Sequence, residues 1–139
     1  MAAAREKYNG QRQAQSLVFT ALQFEALTAF TAFTATGKLV LPCKAKIIGV
    51  RLNVNRKGGT FSVGTLDVLA GGVSILSAVF DVAAMVAGTP IDKEIADLTA
   101  AAAAVAANTE VTFTTAVSGG SSPTWADVTV QIDYMPLGG

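Results

Sequence analysis

Residues 38–55 read KLVLPCKAKIIGVRLNVN, and the fold class turns on this stretch. A short apolar run, Leu39-Val40-Leu41, stops at Pro42. Beyond it, Ile48, Val50, Leu52 and Val54 alternate with Gly49, Arg51, Asn53 and Asn55. Strict alternation marks a strand with one buried face, because successive side chains leave a strand on opposite sides. The reading predicts a central pair of strands, with Ile48, Val50, Leu52 and Val54 toward a core. On the same parity Lys44 and Lys46 share the side of Ile48, and Arg51 points the other way.

Working outward, Arg56-Lys57-Gly58-Gly59 reads as a hairpin turn, since glycine reaches positive φ without steric cost. Residues 60–70, TFSVGTLDVLA, are the return strand. Their apolar parity switches near Gly64, where a β-bulge is expected. Gly71-Gly72 makes a second turn, and 73–80, VSILSAVF, a further strand. Residues 82–89 read as a helical turn or a loop ending at Gly88, and 90–98 as extended chain. Residues 99–107, TAAAAAVAA, carry the strongest helix propensity, with Thr99 and Asn108 as caps; one to three turns are expected. Val111 and Phe113 alternate with Thr112 and Thr114, and 118–123 form a turn. In the last strand Ala126, Val128, Val130, Ile132 and Tyr134 face one way, behind Trp125. Upstream, 16–24 (SLVFTALQF) are apolar enough to join the sheet, and the Phe30/Phe33 stretch is extended up to Gly37.

Roughly six to nine short strands with glycine-rich turns predict an all-β fold, a β-sandwich or jelly roll. It carries an extended N-terminal arm, residues 1–15, and one short Ala-rich helix. Residues 16–139 form a single β-sandwich domain on this reading. The arm is polar and cannot order itself by burying apolar area, so a partner is expected to order it.

The net charge is zero, but its distribution is uneven. Residues 1–57 hold nine Lys/Arg against two Asp/Glu, a net of +7; residues 58–139 hold one against eight, a net of −7. Charged residues make up 14% of the chain, against about 25% in an ordinary domain. A surface so poor in charge points to cover by partner subunits. The single cysteine, Cys43, excludes an intramolecular disulfide and reads as a small buried thiol. No secretory signal is visible. The longest uncharged run, 16 residues from Val111 to Ala126, contains Gly, Ser and Pro, so no membrane partner is expected.

Histidine is absent, which removes Ser-His-Asp and Cys-His sites and most zinc sites. No phosphate-binding or dinucleotide fingerprint occurs. Asp92, Glu94 and Asp97 form the densest acidic cluster but lack EF-hand spacing, and read as a solvated or inter-subunit patch. No catalytic, cofactor-binding or metal site is expected, and the chain is not expected to be an enzyme. Nucleic acid is not expected as a partner either: no aromatic interleaves the basic residues between Gly37 and Gly59.

The segments GKLVLPCKAKIIGVRLNV, TLDVLAGGVSILS and VAAMVAGTPIDKEIADLTAAAAAVAANTEVTFTTAV give a texture that resembles small virion proteins of tailed bacteriophages. The matching pattern spans roughly residues 36–134: a strand ending in LP, the basic-aliphatic KAKIIGV, DVLAGGVSIL, and an Ala-rich lead into a strand. The arm has no counterpart in it. These β-sandwich proteins decorate or cement capsids. The resemblance implies a structural protein that binds the outer capsid surface as an oligomer and braces neighbouring capsomers. The expected partners are the major capsid protein and the chain itself, as trimer or dimer. The expected location is the virion surface after synthesis in the host cytoplasm. The residues expected to meet partners are Arg5, Lys7, Tyr8 and Arg12 of the arm, with Arg51, Arg56 and Lys57. Two other readings stand beside it. One is a carbohydrate- or receptor-binding module of a virion fibre, with Trp125 and Tyr134 as its aromatic candidates. The other is a head–tail or tail component.

Overall fold

The alternation after Pro42 becomes β4, Ala45–Thr60, a strand of sixteen residues. The computed structural model describes residues 15–24, 32–34, 39–60 and 62–137. Nine other strands surround β4 among these: β1 (Gln15–Phe24), β2 (Ala32–Thr34), β3 (Leu39–Val40), β5 (Val63–Ala70), β6 (Val73–Ser74), β7 (Phe80–Asp81), β8 (Ile91–Glu94), β9 (Glu110–Ser118) and β10 (Ser121–Pro136). They form two sheets. One has four strands in the order β1-β10-β4-β8; the other runs β2-β9-β5-β6, with β3 also on β9 and β7 also on β5. Every pairing is antiparallel.

The inner faces share one hydrophobic cluster. Leu52, Val54, Val130 and Ile132 from the four-stranded sheet pack with Leu66, Val68 and Phe113 from the other. This is the all-β sandwich that the alternation predicts. β10 carries the clearest pattern: Val128, Val130, Ile132 and Tyr134 are all buried. Residues 15–24 do join the sheet, as β1 on β10.

The register of β4 differs from the strict alternation. Tyr134 pairs with Ile47 and Asp133 with Gly49, so Ile48 is an extra residue, a β-bulge. Ile47 therefore takes the core position and Ile48 is only half-buried. The same bulge puts Lys46 on the outward side with Arg51, instead of opposite it.

Gly58-Gly59 is not a hairpin turn. β10 pairs Lys57 with Trp125, Gly58 with Thr124 and Thr60 with Ser121, so the strand runs on through Gly59, which takes a φ of 72° at a break in register. β4 and β5 lie in different sheets, so the link between them crosses the sandwich. The β9–β10 link crosses at the same end, and the two are tied by the Ser62 N–H donating to the Gly119 carbonyl at 3.2 Å. β5 has no bulge at Gly64; its register on β9 runs unbroken from Val63 to Ala70. Gly71-Gly72 is the predicted tight turn, with φ of 58° and 84°, values that a side chain resists. The strand expected over 73–80 is two short pieces, β6 and β7, joined through an isolated bridge of Leu76 with Leu98. The turn expected over 118–123 is confined to Gly119 and Gly120, because β10 begins at Ser121.

The Ala-rich run gives only a single 3-10 turn, Ala100–Ala102, after another at Ile95–Asp97. Competing backbone partners explain the shortfall. Val105 exchanges both hydrogen bonds with Ala45, at 2.7 and 2.9 Å, and the Asn108 N–H, at φ 64°, donates to the Leu41 carbonyl. Nine residues gain too little from helix propensity to resist such pairing. Phe30, Gly37 and Phe61 lie outside the described residues.

A candidate interaction face on the four-stranded sheet

β4 lies between β10 and β8, and from Gly49 to Leu52 its residues have a paired neighbour on either side. Two rows cross the sheet. One runs Ser16, Asp133, Gly49, Glu94; the next runs Val18, Gln131, Arg51, Asp92. Arg51 and Asp92 are direct cross-strand partners and form a two-pronged ion pair, Nε to Oδ1 at 2.6 Å and Nη2 to Oδ2 at 3.0 Å. The hydrogen bonds from Arg51, and then its charge, hold the Asp92 carboxyl below its ordinary pKa. The same bonds, and the charge of Asp92, raise that of Arg51. The pair fastens the short edge strand β8 to the centre of the sheet.

In the other row, Asp133 Oδ1 accepts from Ser16 Oγ at 2.6 Å and from Gln131 Nε2 at 2.9 Å. Gly49 leaves a gap beside it. A Cβ there would lie 3.5 Å from Asp133 Oδ2 and 3.5 Å from the Lys93 carbonyl oxygen. The result is a shallow cavity of about 200 Å³, lined by Gly49, Arg51, Asp92, Lys93, Glu94 and Asp133. Lys93 leans its ammonium over the buried Phe80 ring, 5.4 Å from the centroid. The acidic cluster is divided by the fold. Asp92 serves Arg51, while Glu94 and Asp97 cap the 3-10 turn reciprocally, Asp97 accepting from the Glu94 N–H at 2.9 Å. Among the described residues, no three carboxylate or thiol side chains gather as metal ligands.

The expected partner-binding residues fall in three places. Arg5, Lys7, Tyr8 and Arg12 lie outside the described residues. Arg51 is on the outer face, paired with Asp92, and Arg56 is exposed farther along β4. Lys57 is half-buried and engaged within the chain. Its Nζ donates to the carbonyls of Val82 at 2.7 Å, Ala83 at 3.2 Å and Met85 at 2.6 Å. This clasp was invisible in sequence, because backbone carbonyls 25 residues away carry no compositional signal. The Arg51–Asp92 pair had only a weak one, two opposite charges on strands whose adjacency is a tertiary fact.

The clasped loop ends in exposed aliphatic groups. Val86 is 69% exposed; elsewhere Ile95 in its 3-10 turn is 53% exposed and Val73 at the start of β6 56%. The two aromatics considered for glycan stacking are not available for it. Trp125 and Tyr134 are buried, and the Tyr134 hydroxyl donates to Gln15 Oε1 at 3.1 Å. Burial pushes the Tyr134 pKa up.

No family model matches this sequence, and no curated protein does. Among solved structures, the chain is similar to FLHE, with a TM-score of 0.56 and 10% identity over 90% of this chain and 97% of that one. The shared property is the fold. A chain of the cyanophage Pam1 capsid asymmetric unit aligns with a TM-score of 0.45 and 20% identity, over 89% of this chain and 82% of that one. A chain of the T13 IBDV viral particle aligns at 0.41 and 12%, over 86% of this chain and 31% of that one.

Proposed function

We propose that this chain is a structural virion protein that binds the outer surface of a phage capsid as an oligomer and cements neighbouring capsomers. The observation that carries this reading is the placement of exposed aliphatic side chains on tied-down connections. Val86 sits on the loop held by Lys57, and Ile95 stands in the 3-10 turn capped by Glu94 and Asp97. Anchored apolar groups cost little ordering entropy on binding, which suits a permanent protein–protein contact. At the centre of the four-stranded sheet Arg51 is spent on Asp92, so on this reading contacts to a partner fall to these apolar groups and to the arm. The resemblance of residues 36–134 to phage decoration proteins supports the same reading.

The test is binding to purified capsids that lack the protein, followed by cryo-EM of the decorated particle. Density for the chain on the outer lattice, bridging capsomers, is the expected result. Density at the portal or tail instead refutes cementing and favours a head–tail role. Deletion of residues 1–14 should weaken attachment while the melting temperature stays that of the full chain. Undiminished capsid occupancy of the truncated protein would remove the arm from the contact.

A further inference from the structure

β8 covers the flank of β4 only from Gly49 to Leu52. Val105 takes that flank up again at Ala45, through an isolated bridge. Between the two, among the described residues, positions 46–48 of β4 have no strand on that side. The 3-10 turns pass the gap without filling it. A groove of about 210 Å³ remains, lined by Lys46 and Ile47 of β4 and by Ile95, Leu98, Ala100 and Ala103 of the turn segment. Ile95, Ala100 and Ala103 are exposed. The Thr99 hydroxyl beside them already donates to the Ser74 carbonyl, at 3.0 Å, so the lining is apolar apart from Lys46. The groove is smaller than the roughly 300–1,000 Å³ of small-molecule pockets and has room for one large side chain.

We propose that this groove seats the Tyr8 ring of the chain's own N-terminal arm. The arm lies outside the described residues, and it joins the domain at Gln15. Gln15 pairs with Tyr134 and Tyr134 with Ile47, so the arm starts in the row that ends at the groove. Three strand spacings of about 4.8 Å, roughly 15 Å in all, separate the two. Seven residues link Tyr8 to Gln15 and reach about 23 Å when extended, so the chain is long enough. Tyr8 is the one aromatic side chain among residues 1–14, and the groove takes one large side chain. Charge agrees with this choice. Arg5 and Lys7 lead into Tyr8, and Glu94 and Asp97 stand on either side of Ile95 in the chain. A tether of this length holds the ring near the groove at an effective concentration on the order of millimolar, an advantage that no separate partner has. The docking goes beyond the capsid reading, being a property of the free chain, and is measured without capsids.

Nuclear Overhauser spectra of the full chain are the experiment. The expected result is cross-peaks from the Tyr8 ring protons to the methyl groups of Ile95 and Ala103. Ala103→Arg, at an exposed position, fills the groove with a bulky side chain of the arm's own net charge. The cross-peaks should vanish in that variant while its circular dichroism stays that of wild type. Their absence from the wild type overturns the proposal, and so does a folded Ala103→Arg chain that keeps them. A mixture of isotope-labelled and unlabelled chains separates one further case. Cross-peaks that arise between chains place the arm of a second copy in the groove and overturn docking within one chain. Should Ala103→Arg not fold, Tyr8→Ser decides. Loss of the ring should move the Ile95 and Ala103 methyl resonances, and unmoved resonances refute the docking.

Discussion

Replacing Lys57 by Met isolates one interaction that the fold depends on. The methionine keeps most of the apolar stem and removes the ammonium. An ammonium has three N–H donors, and those of Lys57 meet three carbonyls, at 2.6, 2.7 and 3.2 Å. A hydrogen bond from a charged group contributes ~1.5–3 kcal/mol net. The two short bonds carry most of the effect, and water partly replaces them at a half-buried site, which leaves a loss of ~2–3 kcal/mol. For a domain of this size each kcal/mol moves the melting temperature by roughly 3–5 °C, so Lys57→Met should melt about 6–15 °C lower. Lys57→Arg should recover part of that, because a planar guanidinium cannot point three donors at a tripod of carbonyls.

Two assays read this. Urea denaturation gives the global loss, and amide exchange gives the local one. The Gly88 N–H donates to the Val54 carbonyl, and the Val82 and Ala83 N–H groups to the Gly64 carbonyl. Release of the clasp should speed exchange at these amides before those of β4. A Lys57→Met variant within about 0.5 kcal/mol of wild type, with unchanged exchange at Val82 and Gly88, would refute the clasp. The variant also separates two roles for this residue. If the ammonium is engaged within the chain, its loss weakens capsid attachment only by loosening Val86, and a capsid-bound variant should bind with the same salt dependence as wild type.

Asp92→Asn should make the melting temperature less sensitive to acid. The carboxyl is depressed below its usual 3.8 in the folded chain, so its stabilisation is present above that value and fades as pH falls through the folded value. The wild-type advantage over Asp92→Asn should therefore hold at neutral pH and shrink as pH falls below 3.8 in parallel thermal melts. Gly119→Ala should destabilise by ~2–3 kcal/mol in urea denaturation, since φ is +72° and the added Cβ would meet Ser62 Oγ. Ser62→Gly in the same chain should recover part of that loss.

The sandwich was legible wherever burial alone sets the pattern. Val128, Val130 and Ile132 had one competing demand, the core, and alternate cleanly. Legibility failed where a partner strand overrides local preference. Gly58-Gly59 is turn chemistry by composition, and Gly59 does take a φ of 72°, yet pairing with β10 carries the strand through it to Thr60. Ile47 and Ile48 are equally apolar, so nothing in them says which is the extra residue; the choice is made by the register of Tyr134 and Asp133. The Ala run is helical by propensity and is held near-extended at Val105 by Ala45. The site was read less well for the same reason. Arg51 and Lys57 were visible as charges, but what each charge does depends on Asp92 and on a loop that only the tertiary fold brings near.

The split of charge along the sequence has the same explanation, and it changes what the surface can do. A net of +7 in residues 1–57 and −7 in the remainder suggests two oppositely charged surfaces. The topology interleaves them instead. β1 and β4 come from the basic part, β8 and β10 from the acidic part, and the sheet order β1-β10-β4-β8 alternates the two. Each row across this sheet therefore brings the halves together, Arg51 beside Asp92 and Ser16 beside Asp133. At Arg51 and Asp92, charge separated in sequence becomes charge paired in space, and it fastens β8 to β4. Among the described residues, Val86 and Ile95 are uncharged groups left outward on anchored connections. Contacts built from such groups are insensitive to salt, because screening acts on charges and not on apolar burial or backbone pairing. The share of an assembly contact carried by Val86 and Ile95 should accordingly persist at high ionic strength, while any share carried by Arg5, Lys7 and Arg12 should weaken.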